Sequence, residues 1–167
     1  AFDQPNVEDA KVRARQQIAR HQQGIPLQSP LEAESDLHKV DAFLAQAQPG
    51  DFIAVNAFLP RLPEVERSLQ KFQADLRQRT RCAVTLGFGP RFLHSTGQYH
   101  KGGPNRGLFL VLTAARQEDL PIPGQGLTFA TLQYAQALGD IEALLAQGRR
   151  VLHIHAPSID SIVKLLH

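Results

Sequence analysis

No apolar run in the 167 residues approaches the length that crosses a bilayer as a helix, and the first residues carry no charged-then-apolar leader pattern. A cytosolic protein with no membrane partner is the expectation. Charge of one sign is also lacking in excess. The 18 basic and 16 acidic residues are interspersed and leave a formal charge of +2, so no basic stripe or polybasic tail points to nucleic acid. There is one cysteine, which excludes a disulfide framework within the chain. Cys82 lies in Arg81-Cys82-Ala83-Val84, a stretch that reads as a strand with an inert thiol. Methionine is absent altogether and the chain starts at Ala1-Phe2-Asp3, from which a piece of a longer polypeptide is expected.

What is present is enough apolar residue, 43%, for one sizeable core in a chain of this length. A helix is expected from Asn6, whose side chain suits an N-cap, to about Gln22, with Val7, Ala10, Ala14 and Ile18 as its apolar stripe. Pro26 to Pro30 reads as a linker, and a second helix as running from about Ser35 to Ala47. Beyond Pro49-Gly50 short apolar runs alternate with helical ones. Strands are expected at Asp51–Phe58, Ala83–Phe88, Leu108–Thr113 and Val151–His155, with helices at Leu62–Arg79, Phe129–Gln147 and Ser158–Leu166. Strands apolar on both faces and joined by helices call for a parallel sheet covered on both sides. The predicted fold is therefore a three-layer, doubly wound α/β domain of about four or five strands.

In such sheets ligands collect beyond the carboxyl ends of the strands. That rule singles out the connection Gly89 to Gly107, a long polar segment in which Ser95, Thr96 and Gly97 offer hydroxyls and amides to an anion. Arg91, Lys101 and Arg106 supply charge there, and Gly102-Gly103 permits close backbone approach. A phosphate ester suits this set; an ordered surface loop is the plainer alternative. His94, His100, His153 and His155 raise a metal site, but no carboxylate or cysteine stands at a recurring ligand spacing, and none is predicted. No nucleophile elbow, Walker loop or dinucleotide fingerprint occurs in the loop.

The start of the chain, Phe2-Asp3-Gln4-Pro5-Asn6-Val7-Glu8-Asp9-Ala10-Lys11, resembles the carboxy-terminal signature of the glucose-6-phosphate isomerases: Phe-Asp-Gln, two variable residues, Val-Glu, two more, then Lys. Pro5-Asn6 and Asp9-Ala10 fill its variable positions with residues other than the usual ones. The resemblance implies a catalytic role for Lys11 and a place for Gln4 at the sugar-phosphate pocket, without cofactor or metal. It also implies that the base and the ring-opening histidine belong to the part of such an enzyme upstream of the signature. Members of the family ordinarily end soon after the lysine, whereas about 150 residues follow it here. Such a tail, and the stretch His94 to Pro104, look like the bifunctional proteins in which a transaldolase precedes the isomerase. The expected division is thus residues 1–24 as the terminal helix of an isomerase domain and 25–167 as an appended α/β domain. Sugar phosphate, the rest of the parent chain and a second copy in a homo-oligomer are the expected partners, with Ser95, Thr96 and Lys101 as substrate-binding candidates. A non-catalytic phosphosugar-binding or assembly domain is the alternative.

Overall fold

The computed structural model describes residues 5–31, 37–116 and 118–166. In chain order the elements are α1 (Pro5–Gln22), α2 (Leu37–Leu44), β1 (Phe52–Phe58), α3 (Pro63–Thr80), β2 (Ala83–Phe88), a 3-10 turn at Arg91–Leu93, α4 (Ser95–Gly102), β3 (Gly107–Ala114), β4 (Pro121–Ile122), β5 (Leu127–Thr128), α5 (Phe129–Ala146), β6 (Arg150–Ala156) and α6 (Ile159–Leu165). Four strands form a parallel sheet in the order β2-β1-β3-β6, and β4 and β5 pair as a small antiparallel hairpin. The winding direction reverses between β1 and β3. With helices on both faces, this is the predicted three-layer α/β architecture. Among the described residues no helix is long and apolar enough to cross a membrane.

Alternation along the strands decides which layer each side chain enters. Ile53, Val55 and Ala57 of β1, Leu108, Leu110 and Leu112 of β3, and Ile154 of β6 face one way and form the larger core with Val40 and Phe43 of α2, Val65, Leu69 and Leu76 of α3, and Ile162 of α6. Their neighbours Phe58, Val111 and Val151 face the other way, under Leu138 and Ile141 of α5 and Phe92 of the 3-10 turn. The helix starts follow local chemistry. Pro63 opens α3, while the Thr128 and Ser158 hydroxyls accept from the amides of Thr131 and Ser161 to cap α5 and α6. Leu62, expected as the first residue of this helix, is its N-cap and stays exposed.

Two expectations change. The hairpin β4–β5 is absent from the sequence reading, because two-residue strands carry too little periodicity. Its turn uses Gly124 and Gly126 at positive φ. The segment 89–107 is not a loop without structure, since it holds the 3-10 turn and α4. Helix α1 packs closely on the rest of the chain. Val7, Ala10, Ala14 and Gln17 of α1 are buried, and the helix lies against α5 where Gly139 admits it: a Cβ there would stand 2.7 Å from the Ala10 carbonyl oxygen and 2.7 Å from the Ala14 nitrogen. The expected start of α2 at Ser35 lies outside the described residues.

Candidate functional site

Lys11 sits two turns into α1, and its ammonium bonds Glu8 at 2.6 Å in a pair open to solvent. That bond holds the Glu8 carboxyl below its ordinary range, first through the hydrogen bond and then through the lysine charge. An exposed i,i+3 pair stabilises the helix by little, so Lys11 is readily released to another anion. One turn on, Arg15 shares its side of the helix. Across from them stand Arg91 and His94, carried by the 3-10 turn and the N-cap of α4. The four side chains line one cleft of about 390 Å³, whose floor is made by Ala10 and Ala14 of α1, Leu93, and Leu132 of α5.

The 3-10 turn is anchored from beneath. Phe92 is buried, with its ring 5.5 Å from Phe58 and 6.1 Å from His100. The α4 helix that follows is tied to α1 by the Asn6 amide, which donates to the Gln98 side chain at 3.3 Å. The rim of the cleft thus combines residues far apart in sequence, 11 and 15 with 91 and 94, through a contact between α1 and α4 that no single segment reveals. Three arginine or lysine cations and an imidazole around an apolar floor can hold a phosphate at the rim and the carbon skeleton of its ester below.

The sequence-predicted residues are divided by the fold. Lys11 lines the cleft. Gln4 lies outside the described residues. Ser95 occupies the first position of α4 and Thr96, next to it, is exposed. Lys101 is turned inward: it is 1% exposed, ion-paired with Asp140, which is 0% exposed, and it donates to the Gly97 carbonyl at 3.4 Å. It is therefore not presented to a phosphate in solution, because the helical phase of α4 aims position 101 at α5 while position 96 faces out. Arg106 leans on Asp51 at the amino end of β1, away from the cleft. Sequence reasoning misses Asp140, whose only signal is an acid within the apolar run Ala137 to Ile141.

The four histidines do not gather. His94 is at the cleft and His100 is buried beside Phe109, held down to about 4 by burial first and the Lys101 charge second. His153 and His155 share a face of β6, in a chain of hydrogen bonds. Ser29 Oγ lies 2.8 Å from His153 Nδ1, Thr113 Oγ1 2.8 Å from His153 Nε2, and the same hydroxyl 2.8 Å from His155 Nδ1. Both nitrogens of His153 are thus engaged by hydroxyls rather than open to a metal. Burial first, and His155 second, holds His153 at about 4; burial lowers His155 as well. Around pH 7 the chain is neutral, and it fastens the α1–α2 connection to the sheet. At the carboxyl ends of the strands a second cleft of about 350 Å³ is lined by Leu62, Arg116, Glu118, Ser158 and Asp160. Its mixed charges give no preference for an anion.

The fold and its cleft define a three-layer α/β protein with an anion-suited groove between its amino-terminal helix and the 3-10 turn. Comparison adds to the fold. The hypothetical protein TT0462 from Thermus thermophilus, known from its crystal structure, superposes with a TM-score of 0.65 at 23% identity, over 95% of this chain and 42% of that one. The chain therefore spans less than half the length of that neighbour. At this identity the likeness is one of fold. No protein-family model matches the chain, and no curated protein matches it.

Proposed function

We propose that this chain is the carboxy-terminal part of a cytosolic aldose–ketose isomerase that interconverts glucose 6-phosphate and fructose 6-phosphate, and that the groove between α1 and the 3-10 turn is its share of the sugar-phosphate site. The observation that carries the reading is the convergence of Lys11 with Arg15, Arg91 and His94 on one cleft. It joins the signature at the start of the chain to the polar segment in the middle, two features that pointed to phosphosugar separately. Opening a pyranose ring requires proton traffic at the ring oxygen. A lysine ammonium held beside the ring donates there or stabilises the developing charge, and the arginines fix the phosphate. Transfer of the proton between the two carbons needs a base, assigned on the resemblance to the part of the enzyme upstream of the signature. No cofactor or metal enters this scheme. A transaldolase ahead of the isomerase in the same polypeptide belongs to the same proposal and rests on the stretch His94 to Pro104.

A coupled glucose-6-phosphate isomerase assay on the full-length parent, comparing unaltered protein with Lys11→Ala at matched folding, tests the reading. Turnover is expected to fall by roughly two orders of magnitude or more, the scale of a lost acid–base group. Unchanged turnover overturns the catalytic role. The second reading, a phosphosugar-binding or assembly domain without chemistry, is favoured if turnover stays while Arg91→Ala abolishes binding of fructose 6-phosphate.

A further inference from the structure

Helix α4 is a weak helix by sequence. It has eight residues, Ser-Thr-Gly-Gln-Tyr-His-Lys-Gly, with glycine at 97 and 102, and the His94 side chain does not cap it. Its last turn is nevertheless held by two buried cations. Lys101 pairs with Asp140 of α5, the carboxylate making no other side-chain bond among the described residues. Arg149, at the start of the chain's return to the sheet, donates to the carbonyls of Lys101 at 2.5 Å and Gly103 at 2.6 Å, where the helix leaves its own acceptors unpaired. A Cβ at Gly97 would stand 3.3 Å from the Phe92 carbonyl oxygen and 3.4 Å from Lys101 Nζ, so this turn of α4 lies close against the 3-10 turn.

An apolar pair of similar volume at 101 and 140 stabilises a fold as well as a buried ion pair or better, because it avoids the desolvation of two charges. What it lacks is direction. An ammonium with one carboxylate available fixes the rotation of the helix that bears it, and α4 carries the consequence to its other end: two turns earlier lie His94 and the 3-10 turn with Arg91, both on the cleft rim.

We infer that Lys101 and Asp140 are positioning residues of the cleft: their buried ion pair sets the rotation of α4 so that Arg91 and His94 face Lys11 and Arg15. The inference rests on the reading of the cleft as an anion site and adds what determines its geometry. Lys101 thereby serves a phosphate without meeting it.

The test compares this chain with the double variant Lys101→Met, Asp140→Leu and with the amide pair Lys101→Gln, Asp140→Asn. Fructose 6-phosphate is titrated in phosphate-free buffer, and the contact between the Asn6 amide and Gln98 is followed by NMR. The apolar pair is expected to keep or raise the urea midpoint while losing at least ten-fold in affinity and losing the Asn6–Gln98 contact. The amide pair, which restores a directional bond, keeps affinity within about three-fold. Equal affinity in the apolar pair, with the contact intact, overturns the inference. If unaltered protein takes up no sugar phosphate at millimolar concentration, the anion reading fails, and the Asn6–Gln98 contact alone decides whether the pair positions α4. Should the apolar pair not fold, Arg149→Met, which frees the carbonyls at the end of the same helix, is expected to lower the urea midpoint and to lose the same affinity and the same Asn6–Gln98 contact.

Discussion

The two faces of the sheet are built from different materials. Over the α2, α3 and α6 side the core cluster is aliphatic with two phenylalanines, beside the buried hydroxyl of Ser68 on α3. On the α5 side stand Lys101, Asp140, His100 and His153, all buried, each with few acceptable partners. The first face keeps the sheet folded through area removed from water. The second spends burial on groups that specify direction, and it is this face that carries the cleft. A layer meant only to stabilise has no use for an ion pair; a layer that must hold two helix ends in one orientation does.

That contrast can be broken most forcefully by removing one partner of the pair. Lys101→Met alone strands the Asp140 carboxylate and is expected to cost about 4 kcal/mol in urea unfolding, with most of it regained when Asp140→Leu is added. On the aliphatic face Leu110→Ala should cost about 3 kcal/mol through transfer and cavity terms, and no second substitution of a neighbour should restore it. Recovery in the second case, or none in the first, would erase the distinction.

A smaller effect concerns acid. His153 is held at about 4 in the fold, against about 6.5 in an unfolded chain. The unfolded chain takes up the proton first as pH falls, so the stability owed to neutral His153 is present above about 6.5 and is lost between there and about 4. The urea midpoint of His153→Gln, measured at pH 7 and roughly pH 4.5, should therefore fall less than that of the unaltered protein. Equal falls would show that the hydroxyl chain around His153 tolerates the imidazolium. The smallest change is at the surface. Glu8→Gln removes an exposed pair and should leave the urea midpoint almost unchanged, yet it releases Lys11 and is expected to tighten phosphate at the cleft in a titration followed by NMR.

The sheet is legible in the sequence because its signal is local. Four apolar runs place themselves, and the buried positions 65, 69, 72 and 76 of α3 recur at three- and four-residue steps in the sequence. Helix α4 is not legible, since two glycines in eight residues argue against a helix and only its docking on α1 and α5 makes one. The same docking explains Lys101: a basic residue in a polar, glycine-rich stretch reads as a ligand contact, and nothing within that stretch announces the carboxylate of Asp140 far downstream. The cleft is hidden for a related reason. Lys11, Arg15, Arg91 and His94 are each visible in the sequence, but their common address depends on how closely α1 approaches the rest.

That approach has an inheritance attached to it. The width of the groove is governed by a missing side chain at Gly139, a position that does not line the groove at all. Adding a methyl there must push α1 outward by its backbone, carrying Lys11 and Arg15 away from Arg91 and His94 together. One substitution on the hidden side of a helix would therefore reset the spacing of the four rim side chains while every residue of the rim stays the same.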